Sequence, residues 1–270
     1  MIQLLALDLD DTLLGADLNI SPRNQRALKA AEEQGVRIVL ASGRVAEAMD
    51  RYAEQLGLFE RPGYMISDNG STVSATLPRA ILRQYTFDRA LLLRLFDAFE
   101  LLDLPVQVYR DRTILATKAC PKAISDVKIS GFTREVIPNL AQTLDFAPTK
   151  IVIPGDPEVL PTALAVIRHT FGNQVNALIS KPYYLEILPA QADKGTALQY
   201  VADTLGISSR DIMAIGDAAN DLGMIRFAGW GVAMANGTPE VRRAARIVTD
   251  ASHEGDGVAE VIEDYLLKNA

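Results

Sequence analysis

Cysteine is almost absent from this 270-residue chain: Cys120 stands alone. No disulfide can form within the chain, and the composition fits a reducing compartment. Histidine is nearly as scarce, with only His169 and His253. No motif joins either of them to Cys120, which reads as an ordinary thiol rather than a nucleophile. No run approaches the roughly 18 uncharged apolar residues that a membrane helix needs. The first apolar stretch has no basic segment before it and meets Asp8 after seven residues, unlike a signal peptide. A cytoplasmic protein is the expectation. An excess of positive charge is missing too, since Lys+Arg 27 against Asp+Glu 34 leaves a net charge of −7. That balance argues against nucleic acid and anionic membrane as partners, but leaves room for a small anion in a local basic pocket. Repeats, low-complexity tracts and long linkers are also lacking.

What remains is an ordinary folded composition, 49% hydrophobic and 23% charged. The length allows one large domain or two modest ones. The first 70 residues alternate between apolar β-type runs and helices. Ile2–Leu7 is followed by Ser21-Pro22, an N-cap with proline at the first helical position, and by a helix that stops at Gly35. VRIVLA (36–41) is a second strand without alternation, as expected where both faces are covered. SGR (42–44) turns into a helix ending near Gly57, and YMIS (64–67) is a third strand. The order β-α-β-α-β predicts a parallel sheet with right-handed crossovers. The C-terminal third resumes this grammar with a helix capped by Asp193, a strand at 211–217, a helix, a strand at 231–235, and further short elements to about Lys268.

Between them, over 84–188, the texture changes. VQVYRDRTILAT, KIVIPGD and KPYYLEIL suit half-exposed antiparallel strands, with two amphipathic helices among them. The expected architecture is α/β: a Rossmann-like parallel-sheet core formed by 1–83 and 189–270, with an α+β domain inserted at 84–188.

Residues 4–14, LLALDLDDTLL, drive Asp8, Asp10 and Asp11 into the end of an apparently buried strand. Close like charges repel, and buried carboxylates are costly unless something compensates. In an open parallel sheet ligands bind beyond the carboxyl ends of the strands. Polar residues stand there after three strands: Asp8-Leu9-Asp10, Ser42-Gly43-Arg44 and Gly216-Asp217. If these strands are neighbours, Asp8, Asp217 and the Asp10 main chain face one small volume with oxygen ligands suited to Mg²⁺. A cation there, with Lys194 close by, would let Asp8 attack a phosphate dianion that otherwise repels it. Asp10, on the loop, suits acid/base work, the Leu9 N–H and the Ser42-Gly43 segment suit phosphate oxygens. Each feature alone has another reading. Asp10 and Asp11 are common turn residues, Ser-Gly opens many helices, a helix-start lysine is commonly solvated, and DAAND (217–221) serves as well as a helix cap. Order and placement at one sheet edge favour the joint reading.

These residues resemble the four motifs of the haloacid dehalogenase superfamily of phosphatases. DLDDT (8–12) resembles the first, with Asp8 as nucleophile and Asp10 as acid/base; LASGR (40–44) the second, with Ser42; DKG (193–195) the third, with Lys194. GDAAND (216–221) resembles the fourth, with Asp217 as metal ligand. ISDNGS (66–71), the GDxxND form and EGDGVA (254–259) are similar to the Cof-like branch of sugar-phosphate phosphatases. The resemblance implies Mg²⁺ held by Asp8, the Asp10 carbonyl and Asp217. It implies phosphate held by the Leu9 N–H, Ser42, Gly43, Lys194 and Asn220, with Asp221 orienting Lys194 or metal waters. Asp11, Arg44 and Asn69 are further candidates, Asn69 reading equally as a left-handed turn residue before Gly70. An insertion between the second and third motifs marks, in this family, a cap that closes over the site. Arg110, Lys181, Tyr183 and Glu186 are its candidate substrate contacts, against the alternative of a solvated sheet face.

The implied function is a Mg²⁺-dependent phosphatase acting on small phosphorylated metabolites, sugar phosphates first, through an aspartyl-phosphate. A phosphomutase or phosphotransferase using the same intermediate, and a non-catalytic phosphometabolite-binding protein, are the alternatives.

Overall fold

The computed structural model describes residues 1–121, 127 and 130–268. Two compact units emerge: Met1–Arg83 together with Asp193 onward, and Gln84–Ala192. The second passage between them falls four residues later than the sequence suggests: the last strand of the insertion ends at Pro189, and the chain stays with that unit to Ala192.

The first unit opens with β1 (Leu4–Leu7), β2 (Arg37–Ala41), β3 (Tyr64–Ser67), β4 (Thr72–Ala75) and β5 (Ala80–Gln84). Ser21 caps the helix Pro22–Glu33, its hydroxyl accepting from Asn24 N at 3.0 Å. Gly35 leaves that helix at φ +87°, a left-handed exit that side chains disfavour. The helix after β2 starts at Ala46 with Val45 as its cap. Ser42 and Gly43 therefore lie in the loop that leads into this helix rather than at its N-terminus.

The second unit contributes β6 (Gln107–Arg110), β7 (Thr113–Ala116), β8 (Thr133–Val136), β9 (Ile151–Pro154), β10 (Val175–Lys181) and β11 (Tyr184–Pro189), in the order β10-β11-β9-β6-β7-β8. Pairing is antiparallel except between β7 and β8, which run parallel. Val108, Ile151, Ile153, Leu185 and Ile187 cluster with Leu92, Leu95 and Phe99 of the helix Arg89–Leu101 and with Ala163 and Ile167 of Leu160–Phe171. Every residue of β11 is buried, against the expectation of half-exposed strands. Its one charged member, Glu186, lies 4.0 Å from Lys150, and opposite charges offset each other's desolvation.

The first unit then resumes with β12 (Ile212–Gly216), β13 (Trp230–Ala233) and β14 (Ile247–Val248). Its sheet order is β14-β13-β12-β1-β2-β3-β4-β5. Strands β14 through β3 are parallel, and β4 turns back antiparallel on β3. This antiparallel extension is not anticipated by the sequence reading. Leu5 and Leu7 pack into one apolar cluster with the helices Pro22–Glu33 and Gly257–Ile262; Leu4 and Ala6 pack into another with Lys194–Leu205. Coverage of both faces explains the unbroken apolar run of β1. The chain winds from β1 to β3 on one side and from β12 to β14 on the other, so β1 marks the topological switch where such sheets bind ligands. Among the described residues, no helix is long and apolar enough to cross a membrane.

Buried Asn24 ties this unit together: its amide donates to Leu13 O at 3.4 Å, and its oxygen accepts from Ala259 N at 2.9 Å. Asn24→Ala would strand both main-chain groups, and a loss of about 2 kcal/mol is expected. Urea unfolding should show a lower midpoint at unchanged slope; an unshifted midpoint would contradict the account.

Candidate active site

Strand β1 ends in the acidic motif. The Asp8 N–H donates to Ile215 O at 3.0 Å, so pairing with β12 persists up to the first carboxylate. The chain then coils through Leu9–Leu13, with Asp10 extended and Asp11 at φ +60°. Leu9 and Leu13 turn their side chains into the core, and Thr12 is fully buried. This alternation brings Asp8 (5% exposed) and Thr12 to the inner side of the loop.

Lys194 is the residue that changes the reading most. The sequence allows a solvated helix-start lysine; the side chain is instead 0% exposed. Its Nζ donates to Asp8 Oδ1 at 2.6 Å and to Asp221 Oδ1 at 2.7 Å. A cation at a helix N-terminus opposes the macrodipole, so these two carboxylates must hold it there. The helix is capped separately by Asp193, which accepts from Thr196 N at 2.8 Å.

The β12 end supplies the rest. Asp221 Oδ2 accepts from the N–H groups of Asp217 and Ala218, both at 3.0 Å. A side chain on Gly216 would overlap the Asp221 carboxylate, which is why the strand ends in glycine. Asp217, 9% exposed, accepts from Thr12 Oγ1 at 3.1 Å. Carboxylate oxygens of Asp8, Asp217 and Asp221 lie within 4.8 Å of one another. The acidic cluster could hold a metal ion.

The β2 and β3 ends lock to each other. Ser42 is buried, its N–H donates to Ile66 O, and its own carbonyl accepts from Asn69 N at 3.0 Å. Asn69 is left-handed (φ +53°), and its Oδ1 also accepts from Asn220 Nδ2 at 2.9 Å. The left-handed turn reading of Asn69 holds, and its side chain lies beside Asn220, another of the candidate residues. Gly43 runs against the Asn69 amide; a Cβ there would sit 3.1 Å from it. Arg44 grips Asp10 with Nε to Oδ2 at 2.8 Å and Nη2 to Oδ1 at 2.7 Å. Asp11 is placed from the far side, its carbonyl accepting from Asn236 Nδ2 at 2.8 Å while His253 Nε2 lies 3.9 Å from its carboxylate.

Asp8, Asp10, Asp11, Ser42, Gly43, Arg44, Asn69, Lys194, Asp217, Asn220 and Asp221 are therefore all drawn to the carboxyl ends of β1, β2, β3 and β12. The candidates in the second unit are more dispersed. Arg110 is engaged by Asp145 and stands over the Phe146 ring; Lys181 ends β10; Tyr183 packs edge-on to Tyr184 at 4.7 Å; Glu186 is buried. Thr12, Asn236 and His253 also hold the acidic loop. Thr12 carries a sequence signal, its place within the first motif, whereas Asn236 and His253 reach the loop only through tertiary folding.

Among the described residues, Lys194 pairs with Asp8 and Asp221 and Arg44 with Asp10, while the buried Asp217 takes its hydrogen bond from the neutral Thr12 hydroxyl. Burial pushes Asp217 up to about 9, with Asp8 and Asp221 adding repulsion against the Thr12 hydrogen bond. Burial and Asp221 push Asp8 up to about 7 despite Lys194. Burial alone would lower Lys194, but Asp221 and Asp8 outweigh it and raise it.

The residues fit a hard divalent cation, which takes oxygen ligands and would offset the repulsion among these carboxylates. A carboxylate with a raised folded-state value binds its proton more tightly folded than unfolded, so its contribution to stability is present below pH 4 and fades as pH rises toward 7 for Asp8 and 9 for Asp217. Thermal unfolding with and without Mg²⁺ should therefore show a cation-induced rise in Tm that is larger at pH 8.5 than at pH 6. An increment independent of pH would contradict this account.

A family model described as haloacid dehalogenase-like hydrolase matches residues 5–262. The chain is 33% identical over 272 residues to a Bacillus subtilis (strain 168) protein named "Putative phosphatase YxeH", covering 99% of each. It is 29% identical to the HMP-PP phosphatase of Enterobacter sp. (strain 638), covering 89% of this chain and 87% of that one. A crystal structure of a haloacid dehalogenase-like hydrolase from Bacteroides thetaiotaomicron superposes with a TM-score of 0.89 at 30% identity, covering 97% and 99%. With its motifs gathered at the switch point of a fold these relatives share, the chain belongs to the haloacid dehalogenase-like hydrolases.

Proposed function

We propose that this protein is a Mg²⁺-dependent phosphatase that hydrolyses small phosphorylated metabolites, sugar phosphates foremost, through an aspartyl-phosphate on Asp8. The observation that carries the reading is the fully buried Lys194 bridging Asp8 and Asp221 beside Asp217. Such a lysine is costly to bury and gives the fold nothing that an apolar residue would not. It is well placed to draw an anionic group onto a carboxylate. The names of the two curated relatives support a phosphoric monoester hydrolase.

Asp8, Asp217 and the Asp10 main-chain carbonyl would hold the cation, whose charge screens the repulsion between Asp8 and a phosphate dianion. Lys194, Ser42, the Leu9 and Gly43 N–H groups and Asn220 bind and orient the phosphoryl oxygens. An Asp8 oxygen attacks phosphorus while the bond to the leaving oxygen breaks, and the Asp10 carboxyl delivers its proton to that oxygen. Asp10, now a carboxylate, takes a proton from water as the water oxygen attacks phosphorus. The bond from phosphorus to Asp8 then breaks, freeing phosphate and restoring both side chains. Asp221 holds Lys194 in place and Thr12 orients Asp217. The inserted Gln84–Ala192 unit is assigned the role of cap and specificity element, with Arg110, Lys181, Tyr183 and Glu186 as its candidate contacts.

A phosphate-release screen over sugar phosphates, nucleotides, pyridoxal phosphate and flavin mononucleotide, with and without Mg²⁺, tests the proposal. Asp8→Asn is expected to lower turnover by at least about 10³-fold while ligand binding persists. EDTA should abolish activity and Mg²⁺ restore it. If no compound is hydrolysed faster by the wild type than by Asp8→Asn, the assignment fails; an isomeric phosphate in place of free phosphate would make the enzyme a mutase.

A further inference from the structure

We propose that Arg44 is a positioning residue for the acid/base carboxyl of Asp10, an inference that rests on the role given to Asp10 above. The guanidinium grips both Asp10 oxygens, at 2.8 and 2.7 Å, in the planar two-point geometry that fixes a carboxyl group's orientation as well as its place. Asp10 stands on an extended backbone before a left-handed residue, with its side chain 26% exposed, and the guanidinium clamps it from the β2 side.

Arg44 is itself fixed. It is 8% exposed, its N–H donates to Ser42 Oγ at 3.2 Å, its carbonyl accepts from Asp68 N at 2.8 Å, and its guanidinium lies 5.4 Å from the Tyr52 ring centroid. Ser42 and Gly43, the proposed phosphate contacts, immediately precede it. The ion pair is thus a strut between the loop that holds the phosphoryl group and the carboxyl that must reach the leaving oxygen. A misplacement of about 1 Å in such a group costs on the order of 10²-fold in rate.

A purely structural role explains less. Buried ion pairs contribute little net stability, and Arg44 Nη1 is buried with no hydrogen-bond partner, a cost that stability alone would not favour. In the first half-reaction the proton passes from the Asp10 carboxyl to the departing oxygen as the phosphorus–oxygen bond electrons move onto that oxygen. The other Asp10 oxygen can keep accepting from the guanidinium, so the carboxyl plane is held while the proton moves. The second half-reaction uses the same orientation to take the proton from water.

The test compares p-nitrophenyl phosphate, whose phenolate departs with little need of a proton, with glucose 6-phosphate, whose alkoxide needs one. Arg44→Gln is expected to lose about 10²-fold or more in kcat on glucose 6-phosphate and no more than about 10-fold on p-nitrophenyl phosphate, with KM within a few-fold. Arg44→Lys should fall between, since it returns the charge without the fork. Asp10→Asn should show the same selectivity, more strongly. Equal losses on both substrates, a change confined to KM, or failure of both Arg44 variants to fold would overturn the proposal in favour of a structural arginine. If Asp10→Asn itself shows no selectivity, the acid/base reading of Asp10 fails and this inference falls with it, while Asp8→Asn continues to test the phosphatase reading separately.

Discussion

One ion bridge organises the site: a lysine without solvent contact, strung between Asp8 at the end of β1 and Asp221 beyond β12. Asp221 could not sit there otherwise, since its second oxygen is already committed to the Asp217 and Ala218 N–H groups and its neighbours are carboxylates. The bridge joins the two strand ends, while Asp217 takes its hydrogen bond from the neutral Thr12 hydroxyl. The crowding of Asp8, Asp217 and Asp221 that raises the first two is what a cation held there would offset. Lys194 is too well buried to have been retained for solubility, and it opposes the dipole of its own helix.

The fold makes this arrangement inexpensive in chain length. Because β1 is flanked by β2 and β12, and the winding direction reverses at β1, the connections from the strand ends leave this point in opposite directions, the place where sheets of this kind bind ligands. Each contributing segment is reached within three residues of a strand's end: Asp8 follows Leu7, Asp217 follows Gly216, and Ser42–Arg44 follow Ala41. The antiparallel β4 then returns the chain, and the left-handed Asn69 that begins the reversal spends its side chain on Asn220. The turn geometry and the contact to Asn220 are met by the same residue.

What the sequence made legible was local. Ser21-Pro22 and Gly35 mark a helix by chemistry acting over four residues, and unbroken apolar runs mark strands covered on both sides. The acidic motif was legible for a related reason: three carboxylates at the end of such a run contradict their own surroundings, and the contradiction points to an absent cation. What escaped depended on partners far away in the chain. Thr12 shows its part only when Asp217, 205 residues on, is placed against it. Asn236 and His253 reach Asp11 through a loop that the 231–235 strand alone does not predict. In the second unit, Glu186 reads either as a substrate contact or as part of a solvated sheet face, and neither reading anticipates its burial beside Lys150. Lys194 is the sharpest case, because a helix-start lysine has the same local signature whether solvated or central.

The Asp10–Arg44 pair extends the same logic from charge to direction. Lys194 is a compact ammonium that donates along separate lines to two carboxylates, and so sets where charge lies. Arg44 is a plane meeting a plane, and so sets where a carboxyl points. On the mechanism proposed above, a site that first gives a proton and later takes one needs both, because a misdirected acid fails even when the nucleophile is poised. Neither pair strengthens the fold much against apolar substitutes, and both leave polar groups in costly surroundings. Stability here is carried by the two apolar clusters on either side of β1, which allows the sheet's edge to be spent on chemistry.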